Sequence, residues 1–279
     1  MLIEYPRYGA DDLRYTYCVG RIRAIETRLL TRERLLRMAE ASDAEEILRI
    51  LQETEYGPHL SEITDASQYE VILKRERRRV LGLYLELSLD PPIDQIFLSR
   101  FDFHNLKVLL KSIIAEQPFD FALSDSGTVA VSEMKEILAE ERYDRLPEFL
   151  QGAVGGAISS YYAKKDPRLL DIAVDRAEFD FRLKSALKIE NIFLIALTKL
   201  SIDLLNLVTF FRIKWLEQGA GTLRESLLDG GYLEREFLLS LLEEPWEGLA
   251  HSFFVTPYSK IVEGGGSYLR QNSSFIRLE

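Results

Sequence analysis

Apolar residues along the chain recur mostly at intervals of three and four, and no stretch alternates convincingly between apolar and polar. The pattern therefore predicts helices throughout and an all-α fold. The dominant run covers residues 189–217, including Ile192, Phe193, Ile195, Leu207, Phe210, Phe211 and Trp215, and neither Gly nor Pro interrupts it. Its apolar residues fall on nearly every face, which predicts a helix surrounded by protein or lipid. Lys199, Asp203 and Asn206 sit mid-run. Each charge near a bilayer centre costs roughly 2.5–3.5 kcal/mol, so a core helix is the better reading.

The remaining elements follow from period and punctuation. One long helix is expected over 12–38, with Leu13, Tyr17, Ile22, Ile25 and Leu29 at helical spacing. Ser42 and Glu45 fit a capping box opening a short helix through Leu51, which Gly57-Pro58 closes. A stripe of Tyr69, Ile72, Leu73, Val80, Leu83 and Leu87 predicts a helix over 66–89 that stops before Pro91-Pro92. Further helices are expected at 94–116, 132–141 and 146–163, with a loop over 119–128. Asp166-Pro167 opens another at 168–189, running into or kinking at the central one. Beyond Trp215, a Thr222/Glu225 capping box and a helix over 234–242 are expected. The tail from Pro245 is poorly periodic, and Gly264-Gly265-Gly266 reads as a turn or flexible joint.

The chain partly repeats itself. Asp102-x-x-Asn105-Leu106 matches Asp203-x-x-Asn206-Leu207 at an offset of 101, which also pairs Lys111 with Arg212 and Ile114 with Trp215. At an offset of 104, Ser124 to Val129 meets Leu228 to Leu233, and Ile137-Leu138 meets Leu241-Leu242. Each unit is a long helix, a Gly-containing loop and a short amphipathic helix. The stretch 15–51 shares that order with a weak residue-level match. Three such units, at 1–92, 93–188 and 189–279, predict a pseudo-threefold assembly of helices.

Composition narrows the function. At 279 residues, with 47% hydrophobic and 29% charged, the chain can build a substantial core. Its net charge of −10 argues against a nucleic-acid partner. The single Cys18 cannot form an internal disulfide, and the acidic, aromatic start with Glu4, Tyr5, Tyr8, Asp11 and Asp12 is unlike a signal peptide. A cytoplasmic protein is expected.

No catalytic constellation emerges. His59, His104 and His251 are scattered without metal-ligand spacing, and Gly264-Gly265-Gly266 is followed by no Lys-Ser/Thr. No cofactor, metal or small-molecule substrate is expected. Asp171, Asp175 and Glu178 share one helical face, as an acidic metal-binding helix of an isoprenoid-synthase-like enzyme would require. Beside Arg168 and Arg176 they read instead as a solvated face. The basic run Lys74, Arg75, Arg77, Arg78 and Arg79 reads as a solvated face salted by Glu70 and Glu76, with an acidic partner or anionic headgroups as the functional alternative.

The segment from Tyr15 to Leu30 resembles the first helix of the C subunit of V-type and archaeal-type ATP synthases (the d subunit in eukaryotes). Leu51-x-x-Thr54-x-Tyr56 resembles the end of that family's first short helix, and Asp102-x-x-Asn105-Leu106-Lys107 and Asp203-x-x-Asn206-Leu207 resemble its second and third units. The resemblance covers about residues 5–245. It implies a non-catalytic central-stalk subunit, a funnel of three similar helical units whose wide end sits on the membrane proteolipid ring. Its cavity would receive the axle of subunits D and F, one copy per complex, peripheral to the membrane. It would thereby couple ATP chemistry to ion or proton transport. The family's third unit ends in a Gly-Pro-Glu-Pro-like turn and a closing helix; this sequence runs to Phe275-Ile276-Arg277-Leu278-Glu279 without them, so a truncated or degenerate third unit is expected. Asp102, Asn105, Asp203 and Asn206 are expected either to bond between helices of different units or to line the cavity and meet the axle together with Lys107, Lys111 and Arg212. The alternative to a rotary-ATPase role is a helical scaffold or adaptor of another pathway.

Overall fold

The computed structural model describes residues 12–278. Glu4, Tyr5, Tyr8, Asp11 and Glu279 lie outside them. The protein is all-α: 74% is helical, and no strand occurs among the described residues. It divides into two compact units, a smaller one ending at Asp94 and a larger one from Gln95 onward.

In the smaller unit, the single helix expected over 12–38 is two: α1 (Thr16–Glu26) and α2 (Arg32–Ala39). Thr31 makes the break. Its backbone is extended, and its hydroxyl accepts the Arg34 N–H at 3.3 Å, a side-chain cap that competes with continuing the helix. The next helix, α3 (Ala44–Gln52), is capped by Asp43 rather than Ser42. Asp43 accepts the Glu46 N–H at 2.8 Å, and Glu46 reaches back to the Ser42 N–H at 2.9 Å, so the capping box is displaced by one residue. A fourth helix, α4 (Tyr69–Leu87), carries the expected stripe, yet only Ile72 and Leu87 of it are buried. Tyr69, Leu73 and Val80 stand about half exposed, as does Ile22 of α1, while Tyr17 of α1 and Leu29 after it are mostly exposed. Within the basic run, Glu76 is buried between His59 at 3.1 Å and Arg79 at 2.7 Å, and Arg75 pairs with Glu62 at 2.6 Å.

The larger unit holds two hydrophobic cores. The first forms among α5 (Pro91–Ala115), α6 (Val131–Ala139), α7 (Glu148–Lys164) and α8 (Pro167–Ile189), around Phe103, Leu106, Met134, Ile137, Leu150 and Leu170. Phe149 stacks on Phe181 at 4.7 Å and leans on Phe103 at 5.6 Å. The second core gathers on α9 (Ile192–Trp215), with Leu207, Phe210 and Phe211 at its centre. Full burial of each such side chain contributes about 1.5–3 kcal/mol. By length and composition α9 is also long and apolar enough to cross a membrane. It does not continue α8: Glu190 turns left-handed and Asn191 caps Leu194 N–H at 3.0 Å. The 101-residue offset extends to the ends of α5 and α9. Glu116 and Glu217 both adopt φ 52°, and Gln117 and Gln218 donate back to Ser112 and Ile213 carbonyls at 3.1 and 3.0 Å.

After α9 come α10 (Ala220–Ser226), α11 (Arg235–Ser240), α12 (Trp246–Ser252) and α13 (Ser259–Asn272). The Thr222/Glu225 capping box does not form; Gly219 is the N-cap and no side chain bonds there. The supposedly irregular tail is two helices, and the three glycines lie inside α13. They are packing positions. Val262, Gly265, Gly266 and Leu269 make the buried face at spacing i, i+3, i+4, i+7. A Cβ on Gly265 would stand 2.3 Å from Leu278 Cδ2, and one on Gly266 3.3 Å from Phe211 Cε1, whereas Gly264 faces open space.

Two outcomes follow. Gly264→Ala raises stability by up to about 1 kcal/mol through helix propensity, while Gly265→Ala lowers it by about 1–3 kcal/mol because Leu278 must move; paired denaturant titrations check both. The second concerns acid. Hydrogen bonds from Arg79, and then from His59, outweigh burial and hold Glu76 below its ordinary pKa of 4.5. Its contribution is therefore complete above that value and lost as pH falls through the lower folded value. Thermal melts of wild type and Glu76→Gln between pH 7 and pH 3 should show a shallower acid loss in the variant.

Candidate functional site

The repeated Asp-x-x-Asn pairs build two closely similar clasps. On α5, Asp102 and Asn105 lie one turn apart on one face, and both are fully buried. Asn105 Nδ2 donates to the Ser124 carbonyl and its Oδ1 accepts the Ser124 N–H, each at 2.8 Å. The carboxamide thus copies the bonding of a neighbouring backbone. Asp102 accepts the Thr128 N–H at 3.0 Å, the Thr128 hydroxyl at 2.7 Å and the Val129 N–H at 3.0 Å. The loop between α5 and α6 is therefore held along its length by two side chains of α5.

The second clasp repeats this on α9. Asn206 exchanges bonds with Leu228 at 2.9 and 2.8 Å, and Asp203 accepts the Leu233 N–H at 2.9 Å. Position 232, which aligns with Thr128, is a tyrosine. The hydroxyl donor to Asp203 instead comes from Tyr258, just before α13, at 2.6 Å. A glycine lets each loop approach. A Cβ on Gly127 or Gly231 would stand 2.2 or 2.1 Å from Oδ1 of Asp102 or Asp203. Burial raises both aspartate pKa values above the ordinary 3.8, and the converging N–H and O–H donors oppose it.

The structure thus bonds Asp102, Asn105, Asp203 and Asn206 to loops of their own module, not to helices of another. Lys107 and Lys111 point along α5 to α8, pairing with Asp175 at 2.6 Å and Asp171 at 2.7 Å. Burial disfavours the Lys107 ammonium, and Asp175 outweighs it, so its pKa lies above the ordinary value. The acidic face of α8, expected to be solvated beside Arg168 and Arg176, is therefore an interhelical ion-pair ladder. Arg168 turns to Asp166 at 2.7 Å, and Arg176 donates to the Glu225 and Leu227 carbonyls. Arg212 is exposed, with its guanidinium 5.6 Å from the Phe275 ring. Among the described residues, no group of three or more His, Cys, Asp or Glu is placed to hold a metal ion.

Sequence reasoning missed Tyr258 and the reason for the two glycines. The glycines left a signal, since Gly127 and Gly231 coincide at the 104-residue offset. Tyr258 left none, because the other module supplies that hydroxyl from within its loop.

Residues 18–279 match the family described as ATP synthase (C/AC39) subunit. The C subunit of the V-type sodium ATPase of Enterococcus hirae is 24% identical over 244 residues, 87% of this chain and 74% of that protein. The C subunit of the A-type ATP synthase of Thermococcus onnurineus is 25% identical over 81% of this chain and 64% of its own length. Its counterpart in Pyrococcus horikoshii is 23% identical over 90% of this chain and 72% of its own. The chain thus spans about two thirds to three quarters of these relatives.

Because a hydrogen bond to a charged group contributes about 1.5–3 kcal/mol, Tyr258→Phe should lower stability by that amount, with Thr128→Val comparable in the other module. Denaturant unfolding measures each. A double-mutant cycle of Tyr258→Phe with Asp203→Asn should show that the two losses do not add.

Proposed function

Since this chain belongs to the ATP synthase (C/AC39) subunit family, we propose that it is a non-catalytic coupling component of a V-type or A-type rotary ATPase. In this reading it is a socket that passes torque between the central axle, subunits D and F, and the membrane proteolipid ring. It works on the cytoplasmic side, peripheral to the membrane, as one copy per complex. Residues 1–92, 93–188 and 189–279 are the three units of the funnel.

The observation that carries this reading is the pair of clasps. A torque-bearing joint must resist shear between its helices and the loops that present its surface. Buried, fully bonded Asp and Asn side chains fix those loops to α5 and α9, where a solvated loop would yield. The Asp and Asn pairs serve the axle indirectly, by holding the loops, whereas Arg212 is exposed and Lys111 partly so. A second support is the apolar surface of the smaller unit, where Leu13, Tyr17, Leu29 and Leu73 are half or more exposed. Exposed apolar side chains of this size can be covered by a protein partner.

Arg212→Glu tests the reading. Reversing one interfacial charge should weaken binding to the purified D–F pair about tenfold, equivalent to about 1.4 kcal/mol, with Tm unchanged. Undiminished affinity measured by calorimetry removes Arg212 from the interface, and failure of the wild type to bind the pair at all removes the socket.

A further inference from the structure

A cleft of about 700 Å³ lies where the end of α7, the middle of α8, α10 and the start of α11 meet, beside the loop that the second clasp holds at Leu228. We infer that it binds a phosphoryl anion carrying two or more negative charges. Lys164, Arg176, Arg224 and Arg235 line it against only Glu225 and Asp229. That local excess of positive charge occurs in a chain with a net charge of −10, and each of the four cations comes from a different helix.

Internal pairing does not use up this charge. Lys164 meets Glu225 at 2.6 Å, and Arg235 meets Asp229 at 2.9 Å. Arg176 donates to the carbonyls of Glu225 and Leu227, and among the described residues no carboxylate pairs with it. Arg224 has its carboxylate contact with Glu236 at 3.6 Å, and both side chains are largely exposed. Arg235 also keeps a buried Nε without a hydrogen-bond acceptor. Arg176, bonded to neutral carbonyls, and Arg224, with only a long and exposed carboxylate contact, keep charge to offer an incoming anion, and their planar forks suit the oxygens of a phosphoryl group.

Size and surroundings narrow the class. The cleft opens broadly to solvent, so it admits linked phosphoryl groups as well as a single orthophosphate. None of the residues lining the cleft is aromatic, so recognition is of the phosphoryl chain and not of a nucleobase. The negative charge of the whole chain opposes a long polyanion, whereas a compact one feels mainly the local field. The source of the group is either a free polyphosphate or the headgroup of an anionic lipid.

The test uses the full chain in two arms. Calorimetric titration with sodium tripolyphosphate at constant ionic strength is run beside co-sedimentation with phosphatidylcholine vesicles with and without phosphatidic acid. Lys164→Ala/Arg224→Ala alters two exposed side chains and should raise the tripolyphosphate Kd at least tenfold, or abolish sedimentation with the phosphatidic-acid vesicles. The first result assigns a free anion and the second a headgroup. Asp229→Asn removes one carboxylate from the cleft and should tighten binding about threefold, a gain that no folding defect can imitate. Absence of saturable binding in both arms, or binding unchanged in the double variant, overturns the inference.

Discussion

The larger unit depends on two helices lending buried side chains to the backbone of the loops that follow them. A carboxylate without partners in an apolar interior is unfavourable by far more than any single contact returns. Asp102 and Asp203 are buried only because loop N–H groups and a hydroxyl converge on them. The dependence runs both ways. Those loop N–H groups would themselves be buried and unsatisfied if the carboxylates were gone. Neither loop nor helix face is tolerable alone, so the pair defines a single arrangement.

The glycines follow from the same constraint. At Gly127 and Gly231 the loop passes so near the carboxylate that a β-carbon would overlap it, and neither position requires a left-handed backbone. The two modules then diverge around this shared centre. The first takes its hydroxyl from Thr128 inside the loop and braces α5 against α8 through Lys107 and Lys111. The second recruits Tyr258, which ties α9 and its loop to the segment leading into α13, and α13 in turn packs through Gly266 on Phe211. One clasp is local; the other also fastens the end of the described chain.

A coupling role needs such parts more than it needs reactive groups. Stiffness comes from saturated polar bonds inside close-packed cores, and the smaller unit leaves apolar side chains such as Tyr17 and Leu73 exposed. The chain belongs to the ATP synthase (C/AC39) subunit family, and its larger unit carries two hydrophobic cores, one on each module. The basic cleft forms where the modules meet, and it shares with the second clasp the loop that carries Leu228 and Asp229.

Much of this was legible in the residues themselves. Helical period, the Asp166-Pro167 start, the apolar run of α9 and the doubled Asp-x-x-Asn are local signals, readable because a helix places residues three and four apart on one face. The 104-residue alignment even set Gly127 beside Gly231. What depended on distant partners was not readable. Thr31 splits a helix that periodicity joins, and three glycines that suggest a joint lie within α13 because Leu278 and Phe211 fill the space a side chain would occupy. The acidic face of α8 looked solvated, since nothing within α8 announces the lysines of α5. Sequence alone thus determined the all-α class, the long helices, the doubled Asp-x-x-Asn and the family resemblance. Only the tertiary structure decided what each polar group faces, because burial is set by neighbours 19 to 75 residues away, to which no local pattern points.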